Sequence, residues 1–330
     1  MPDFAAPAVW KDRRVLVTGA AGFLGSHLTD HLLALGATVV GLDNGLTGSD
    51  ANLVSARASA RFSFVRQDVC DPLSVAGAVD VVFHLASPAS PKDYLAHPVA
   101  TLRTCSVGTE NVLGFAESRG STVVLASTSE IYGDPTEHPQ SESYRGNVDC
   151  TNERACYTEG KRFLEATALA WHRTRDVRVR IARIFNTYGP RMRPDDGRVV
   201  STFCVQALAG GPLTVHGDGS QTRSFCHVDD LVSGLLALAL SDVVGPTNLG
   251  NPHEVSMRAL ADTIRRLAAS TSTLRHVSRP EGDPSVRRPD IGRARELLGF
   301  EPRIDLESGL VRTLDWYRTM ARPPHRIATS

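Results

Sequence analysis

The 330-residue chain predicts an α/β architecture, a doubly wound parallel sheet with a smaller C-terminal lobe, on three observations. Short β-branched apolar runs recur through the first half, at 14–17, 39–42, 62–65, 79–85, 122–126 and 177–184, each bounded by turn residues. Segments with apolar residues at helical spacing, 23–35, 99–117 and 154–174, lie between most of them. Such alternation marks βαβ units, whose right-handed crossovers stack helices on both faces of a parallel sheet. Beyond residue 186 the pattern loosens: Gly189-Pro190, Gly210-Gly211-Pro212 and Gly217-Asp218-Gly219 punctuate it, and helices are expected at 229–240, 256–269, 293–298 and 306–318. One hydrophobic core stops growing near this chain length. The division expected is 11–187, with part of 225–250 returning to it, and 188–330.

Composition narrows the class. With 42% hydrophobic and 22% charged residues and a formal net charge of zero, the chain has an ordinary globular balance and no field to gather nucleic acid or an anionic membrane. Its six cysteines form no C-x-x-C pair and no His/Cys cluster has zinc spacing, so no metal is expected. The first 14 residues carry Asp3 and Asp12 without an apolar signal core, and the longest apolar stretch, 235–240, is far short of the roughly 20 residues a membrane helix needs. A cytoplasmic protein is expected.

The first run leads into Thr18-Gly19-Ala20-Ala21-Gly22-Phe23-Leu24-Gly25, a G-x-x-G-x-x-G turn that opens a helix. Glycine lets backbone approach a pyrophosphate, and the helix start supplies amide donors and a favourable dipole. A three-glycine turn can be merely structural. Here a strand precedes it, an amphipathic segment follows, and Asp43 closes the second run where a Rossmann fold holds the adenine ribose. The expected cofactor residues are Gly19, Gly22, Phe23, Leu24, Gly25 and Asp43. A carboxylate at Asp43 accepts ribose hydroxyls and repels a 2′-phosphate, and 44–48 bring no positive charge, so NAD is expected rather than NADP. Asp68 stands equally as a partner of the adenine amino group or as a helix cap ahead of Pro72.

Tyr157 and Lys161 stand at i and i+4 on one face of an expected helix. A free phenol, with a pKa of about 10, is a poor base at neutral pH. A neighbouring ammonium and the positive ring of a nicotinamide both favour the phenolate. Tyr157 can then take a hydroxyl proton as hydride leaves the same carbon. Thr128, after the fifth run, offers a hydroxyl to the reacting oxygen. Lys161 is one of only three lysines, with Lys11 and Lys92, which makes an incidental surface pair a weaker explanation.

The glycine turn, Ser127-Thr128-Ser129-Glu130-Ile131-Tyr132-Gly133, the Tyr157/Lys161 pair and Arg183-Ile184-Phe185-Asn186-Thr187-Tyr188-Gly189-Pro190-Arg191 resemble extended short-chain dehydrogenases/reductases that act on nucleotide sugars. His84-Leu85-Ala86-Ser87-Pro88-Ala89-Ser90-Pro91, Asp196-Gly197-Arg198-Val199-Val200-Ser201 and Gly219-Ser220-Gln221-Thr222-Arg223 sharpen the resemblance to the UDP-glucuronate decarboxylases, or UDP-xylose synthases, over roughly 13–318. It implies NAD-dependent decarboxylation of UDP-glucuronate to UDP-xylose through a 4-keto sugar, with dTDP-glucuronate a further candidate substrate. It also implies a homodimer pairing 99–117 and 154–174.

By the same resemblance Tyr157, Lys161, Thr128, Ser129, Glu130 and Arg287 are the catalytic residues, the first two also touching the cofactor. Ser129 stands where related 4,6-dehydratases carry an aspartate that expels water; a serine avoids setting a second anion beside a substrate carboxylate. Glu130 positions the sugar or relays a proton, or else is a salt-bridged structural residue. Arg287, within 283–290, suits a carboxylate or a relaying water, and Arg288 is its alternative. Asn186 and Arg223 match positions that contact the diphosphate, with Arg191 assisting. Tyr94 touches the sugar or is an ordinary half-buried aromatic. One departure is Cys105, where the family has an asparagine that orders active-site backbone. The rival readings are a 4,6-dehydratase, a C4-epimerase or a non-catalytic NAD sensor.

Overall fold

The computed structural model describes residues 7–279 and 286–321; Asp3 and the stretch 283–285 beside Arg287 lie outside the described residues. Strands form where β-branched side chains cluster and stop at turn residues. β1 (Arg14–Thr18), β2 (Thr38–Asp43), β3 (Phe62–Arg66), β4 (Val81–His84), β5 (Thr122–Thr128), β6 (Arg178–Ile184) and β7 (Pro246–Leu249) make one sheet in the order β7-β6-β5-β4-β1-β2-β3. Every pairing in it is parallel. The sheet is therefore the doubly wound parallel core that the alternation implies, with a seventh strand, β7, added from the stretch 225–250.

Alternate side chains along each strand enter opposite cores. Val15, Val17, Val39, Val81, Phe83 and Val124 pack with α1 (Phe23–Ala34) and α4 (Val228–Leu240). Leu16, Val40, Leu42, Val82, Val123 and Leu125 pack on the other face with α2 (98–119) and α3 (Ala155–Arg175). α2 spans 98–119 in three pieces, Pro98–Arg103, Thr104–Gly108 and Thr109–Arg119, the middle one wound as a π-helix. Burying each such Val or Leu is worth about 1.5–3 kcal/mol, which is why both faces need helices. Between β3 and β4 the chain crosses without a helix.

A third core holds the remaining lobe. Phe203 and Cys204 of the helix Val199–Leu208 meet Leu260 and Ile264 of Met257–Ala268 and Leu310 and Leu314 of Leu306–Ala321. A short parallel pair, Leu213–His216 with Leu274–Val277, closes it. Among the described residues no helix is long and apolar enough to cross a membrane, and no group of side chains could hold a metal ion. Parallel register brings Thr18, Asp43, His84, Thr128 and Ile184 to one edge of the sheet, the edge where open α/β folds bind ligands.

Candidate active site

At that edge a narrow cleft lies over the glycine turn, lined by Gly19, Gly22, Asp43, Asn44, Leu85, Ala86 and neighbours. Gly19 has φ +72°, and a Cβ there would come within 2.8–2.9 Å of the Leu85–Ala86 backbone. A Cβ at Gly25 would overlap the Gly19 carbonyl. Gly22 caps α1 without a side chain, so the amides of the first turn face the cleft rather than a capping group. Phe23 and Leu24 open that helix and pack into the core beneath it. Asp43 is buried, and its carboxylate accepts from Ala21 N at 3.0 Å and Gly45 N at 2.7 Å. Burial raises its pKa against those two bonds. These residues fit a dinucleotide: backbone amides at a helix start for a pyrophosphate, and a fixed carboxylate at the end of β2 for a ribose.

Two cofactor-side residues gain partners in the fold. Asp68 accepts from Cys70 N and Asn44 Nδ2, both at 2.8 Å, and no helix follows it; it ties a turn to the loop after β2. A positive charge also stands near Asp43, supplied by Arg66 of β3 rather than by 44–48. Asp50 engages it at 2.7 Å.

Beyond the cleft opens a cavity of about 1290 Å³ between the sheet edge and the second lobe. Tyr94, Glu130, Asn186, Arg223 and Arg287 line it, joined by Arg154 and Arg198. Thr128, Ser129, Tyr157 and Lys161 form a buried layer next to that wall. Thr128 ends β5, and its Oγ1 accepts Glu130 N at 3.2 Å, starting a 3₁₀ turn over Ser129–Tyr132. The Tyr94 ring stacks on Tyr157 with centroids 4.9 Å apart and planes 7° from parallel. Tyr94 is fully buried against Tyr157, not a half-buried aromatic.

The Tyr157/Lys161 pair is close, and burial dominates its electrostatics in the protein alone. The Lys161 ammonium donates to the Ala126 carbonyl at 2.8 Å and lies 5.8 Å from the Tyr157 ring centre. Burial lowers the Lys161 pKa. Burial, with the Glu130 charge next, pushes the Tyr157 phenol well above its ordinary value, and a hydrogen bond with Thr128 opposes the rise. Desolvation thus outweighs the ammonium in the protein alone.

Glu130 is salt-bridged and faces the cavity at once. Arg154 donates to Oε2 at 2.9 Å, Arg287 Nη1 stands 3.9 Å from Oε1, and Tyr94 Oη lies 3.5 Å from Oε2. Arg288 takes a different course, with its backbone amide on Gln140 and its guanidinium 3.8 Å from Glu254. Asn186 donates to Ser224 O at 3.3 Å, and Arg223 to Thr222 O at 2.8 Å. Arg191 is a correction: it pairs with Asp30 of α1 at 2.6 Å and is not among the cavity-lining residues. Arg154 and Arg198 are the residues the sequence did not single out. Arg198 lay inside a quoted motif and chelates Asp196 at 2.5 and 2.8 Å. Cys105 sits in the π-helical piece of α2, its Sγ 3.9 Å from Ser87 Oγ and packed against Gly160 of the Tyr157–Lys161 turn.

Residues 15–272 match the NAD dependent epimerase/dehydratase family. UDP-glucuronic acid decarboxylase 1 of Arabidopsis thaliana is 50% identical over 308 residues, 93% of this chain and 70% of that protein. The Xenopus tropicalis UDP-glucuronic acid decarboxylase 1 is 50% identical over 309 residues, 93% of this chain and 73% of its own. Among solved structures, UDP-glucuronic acid 4-epimerase of Bacillus cereus, in complex with UDP-glucuronic acid and NAD, superposes with a TM-score of 0.80 at 26% identity, covering 93% of this chain and 99% of that one. The chain belongs to the NAD dependent epimerase/dehydratase family and, within it, to the UDP-glucuronic acid decarboxylases.

Proposed function

We propose that the protein decarboxylates UDP-glucuronate to UDP-xylose, using NAD, through a 4-keto sugar. One observation carries the reading: Tyr157 and Lys161, buried one turn apart on α3, lie behind Tyr94 at a cavity whose wall presents Glu130 between two arginines. In this reading 11–187, with part of 225–250, hold the cofactor, and the rest of 188–330 holds the sugar nucleotide.

Gly19, Gly22 and Gly25 would hold the NAD pyrophosphate and Asp43 its adenine ribose. Bound NAD supplies the hydride acceptor and, through its positive ring, charge that favours a phenolate at Tyr157. Tyr157 removes the proton of the C4 hydroxyl while Thr128 holds the same oxygen. The C4 ketone is β to the C5 carboxylate, so electrons left by departing carbon dioxide delocalise onto the ketone oxygen. Tyr157, protonated by then, donates to that oxygen as charge develops there. Glu130 or a water held by Arg287 returns a proton to C5, and Tyr157 then gives its proton to the C4 oxygen as the hydride is returned to C4, which yields the pentose and closes the redox balance. Ser129 contacts the carboxylate without adding a charge. Asn186 and Arg223 take the diphosphate, for which a guanidinium is well shaped.

The same reading includes a homodimer through α2 and α3. Val99 and Leu102 on α2, Phe163 on α3 and nearby Leu95 are large apolar side chains between 42% and 68% exposed, an unusual cost for a monomer surface. A cytoplasmic location goes with it, supported by six cysteines that remain free thiols. The test is incubation with NAD and either UDP-glucuronate or dTDP-glucuronate, with products read by mass spectrometry. Carbon dioxide and a nucleotide pentose are expected from UDP-glucuronate. A 4-epimer, a dehydrated sugar or unchanged substrate would overturn the reading.

A further inference from the structure

Residues 286–290 reach the cavity wall as a segment whose burial alternates: Arg287 and Pro289 are buried, Arg288 is half-buried and Asp290 is exposed. Extended backbone turns successive side chains to opposite sides, so only one of the two adjacent arginines can face the cavity. That one is Arg287, its side chain 9% exposed and its Nη1 3.9 Å from Glu130, while Arg288, 41% exposed, turns to Glu254 at 3.8 Å. Gln140 grips the segment. It is fully buried and pairs with Pro289 in a parallel bridge. Its backbone amide donates to Arg288 O at 2.9 Å, and its carbonyl accepts Asp290 N at 2.8 Å. Its side-chain oxygen accepts Arg288 N at 2.8 Å, and its side-chain amide donates to Glu137 O at 2.7 Å. Asn248 of β7 donates to Gln140 O and Asp290 O, both at 3.0 Å.

We infer that Gln140 is a positioning residue: it keeps 286–290 docked with Arg287, rather than Arg288, turned into the cavity. The inference rests on the decarboxylase reading for what Arg287 does there. Composition cannot make the choice, because the two residues are identical, and a slip of one position would exchange their sides. Pro289 opposes such a slip while the main-chain bonds hold, since it would bring a residue without N–H to the place of Arg288 or Asp290. Pro289 does nothing to keep the segment docked. That falls to Gln140, whose side chain is held at one end by the Glu137 carbonyl and offers the other to Arg288 N. A partly buried amide that loses its acceptor is costly, so the docked register is favoured over a loosened one. On the other side Ser224 N meets Arg287 O at 3.3 Å. Main chain on either side of the Arg287 side chain is thereby fixed, and its guanidinium is aimed without any contact from Gln140 itself.

The test uses the full chain loaded with NAD and two variants: Gln140→Met, similar in size but without the acceptor, and Gln140→Glu, which keeps an oxygen for the Arg288 amide. Labelling with an arginine-specific dicarbonyl reagent, mapped by fragment-ion mass spectrometry, reads which arginine is turned outward. In Gln140→Met the labelling of Arg287 relative to Arg288 should rise about tenfold, the effect of one lost hydrogen bond, and in Gln140→Glu it should stay within about threefold of the native ratio. Carbon dioxide release reads the consequence. Gln140→Met should lower kcat about tenfold beside native Arg287 and less than about twofold in the Arg287→Ala background, because a residue that acts through another is not additive with it. An unchanged labelling ratio in Gln140→Met would overturn the inference. So would the same loss of kcat in both backgrounds, which marks a purely structural glutamine. A shifted ratio in a protein that releases no carbon dioxide even in its native form would refute the decarboxylase reading and leave the placement of Arg287 by Gln140 standing.

Discussion

The cofactor cleft is walled by backbone and the sugar cavity by side chains. Over α1, three glycines within seven residues bring main chain to the ligand, and a Cβ at Gly19 or Gly25 would collide with other main chain. Across the Tyr157 layer, the cavity collects Tyr94, Glu130, Arg154, Asn186, Arg198, Arg223 and Arg287, drawn from both lobes and almost two hundred residues of chain. A backbone site is rigid and serves one ligand shape shared by many enzymes. A side-chain site can be retuned one residue at a time, and it is where this chain's reaction is decided.

The largest effect tests the layer common to both. Tyr157→Phe should lower kcat for carbon dioxide release by roughly 10²–10⁴-fold with NAD binding retained; a loss under tenfold would break the assignment of proton transfer to that phenol. The two regions should then separate. Gly19→Ala, which adds a Cβ against main chain at φ +72°, should cost NAD affinity about 10-fold or more, a loss of ~1.4 kcal/mol. Arg287→Ala should cut turnover about 100-fold, of the order expected for a charged group in the transition state, and leave NAD titration unchanged. If Arg287→Ala weakens NAD as much as Gly19→Ala does, the division into two sites fails.

Smaller effects sharpen the side-chain region and its seam. Ser129→Ala should raise KM for UDP-glucuronate about tenfold, as loss of a hydrogen bond to a charged group would, without changing UDP-xylose affinity; an unchanged KM would remove Ser129 from the carboxylate. At the seam, His27 of α1 bonds the Pro190 carbonyl at 2.9 Å. Burial lowers its pKa from 6.5 to about 4. The folded value lies below the unfolded one, so this stability is whole above pH 6.5 and is lost as pH falls toward about 4. Thermal denaturation should show Tm falling by roughly 2–5 °C across that window, and His27→Gln should flatten the slope. An identical slope in the variant would mean other groups set it.

Legibility followed the same division. Strands declared themselves because β-branched runs alternate with helical spacing, and the glycine turn because its seven residues are contiguous with a strand before and Asp43 after. The cavity had no such local signal. Arginine carries almost all the positive charge of this chain, so nothing in the sequence set Arg154 apart from a surface arginine. Arg191 was expected to assist Arg223, yet it pairs with Asp30 of α1. The depth of burial that raises the Tyr157 phenol in the protein alone was not legible, because spacing reports only proximity to Lys161. Asp68 showed its side-chain partners only once β2 and β3 were paired.

The central claim is that oxidation at C4 makes loss of the carboxyl group possible, with the same hydrogen restored afterwards. UDP-glucuronate carrying deuterium at C4 tests it directly with the NAD-loaded protein. The account predicts carbon dioxide and a UDP-pentose that keeps the deuterium at C4. A pentose formed without it, or carbon dioxide released equally fast from a 4-deoxy analogue that cannot become a ketone, would contradict it.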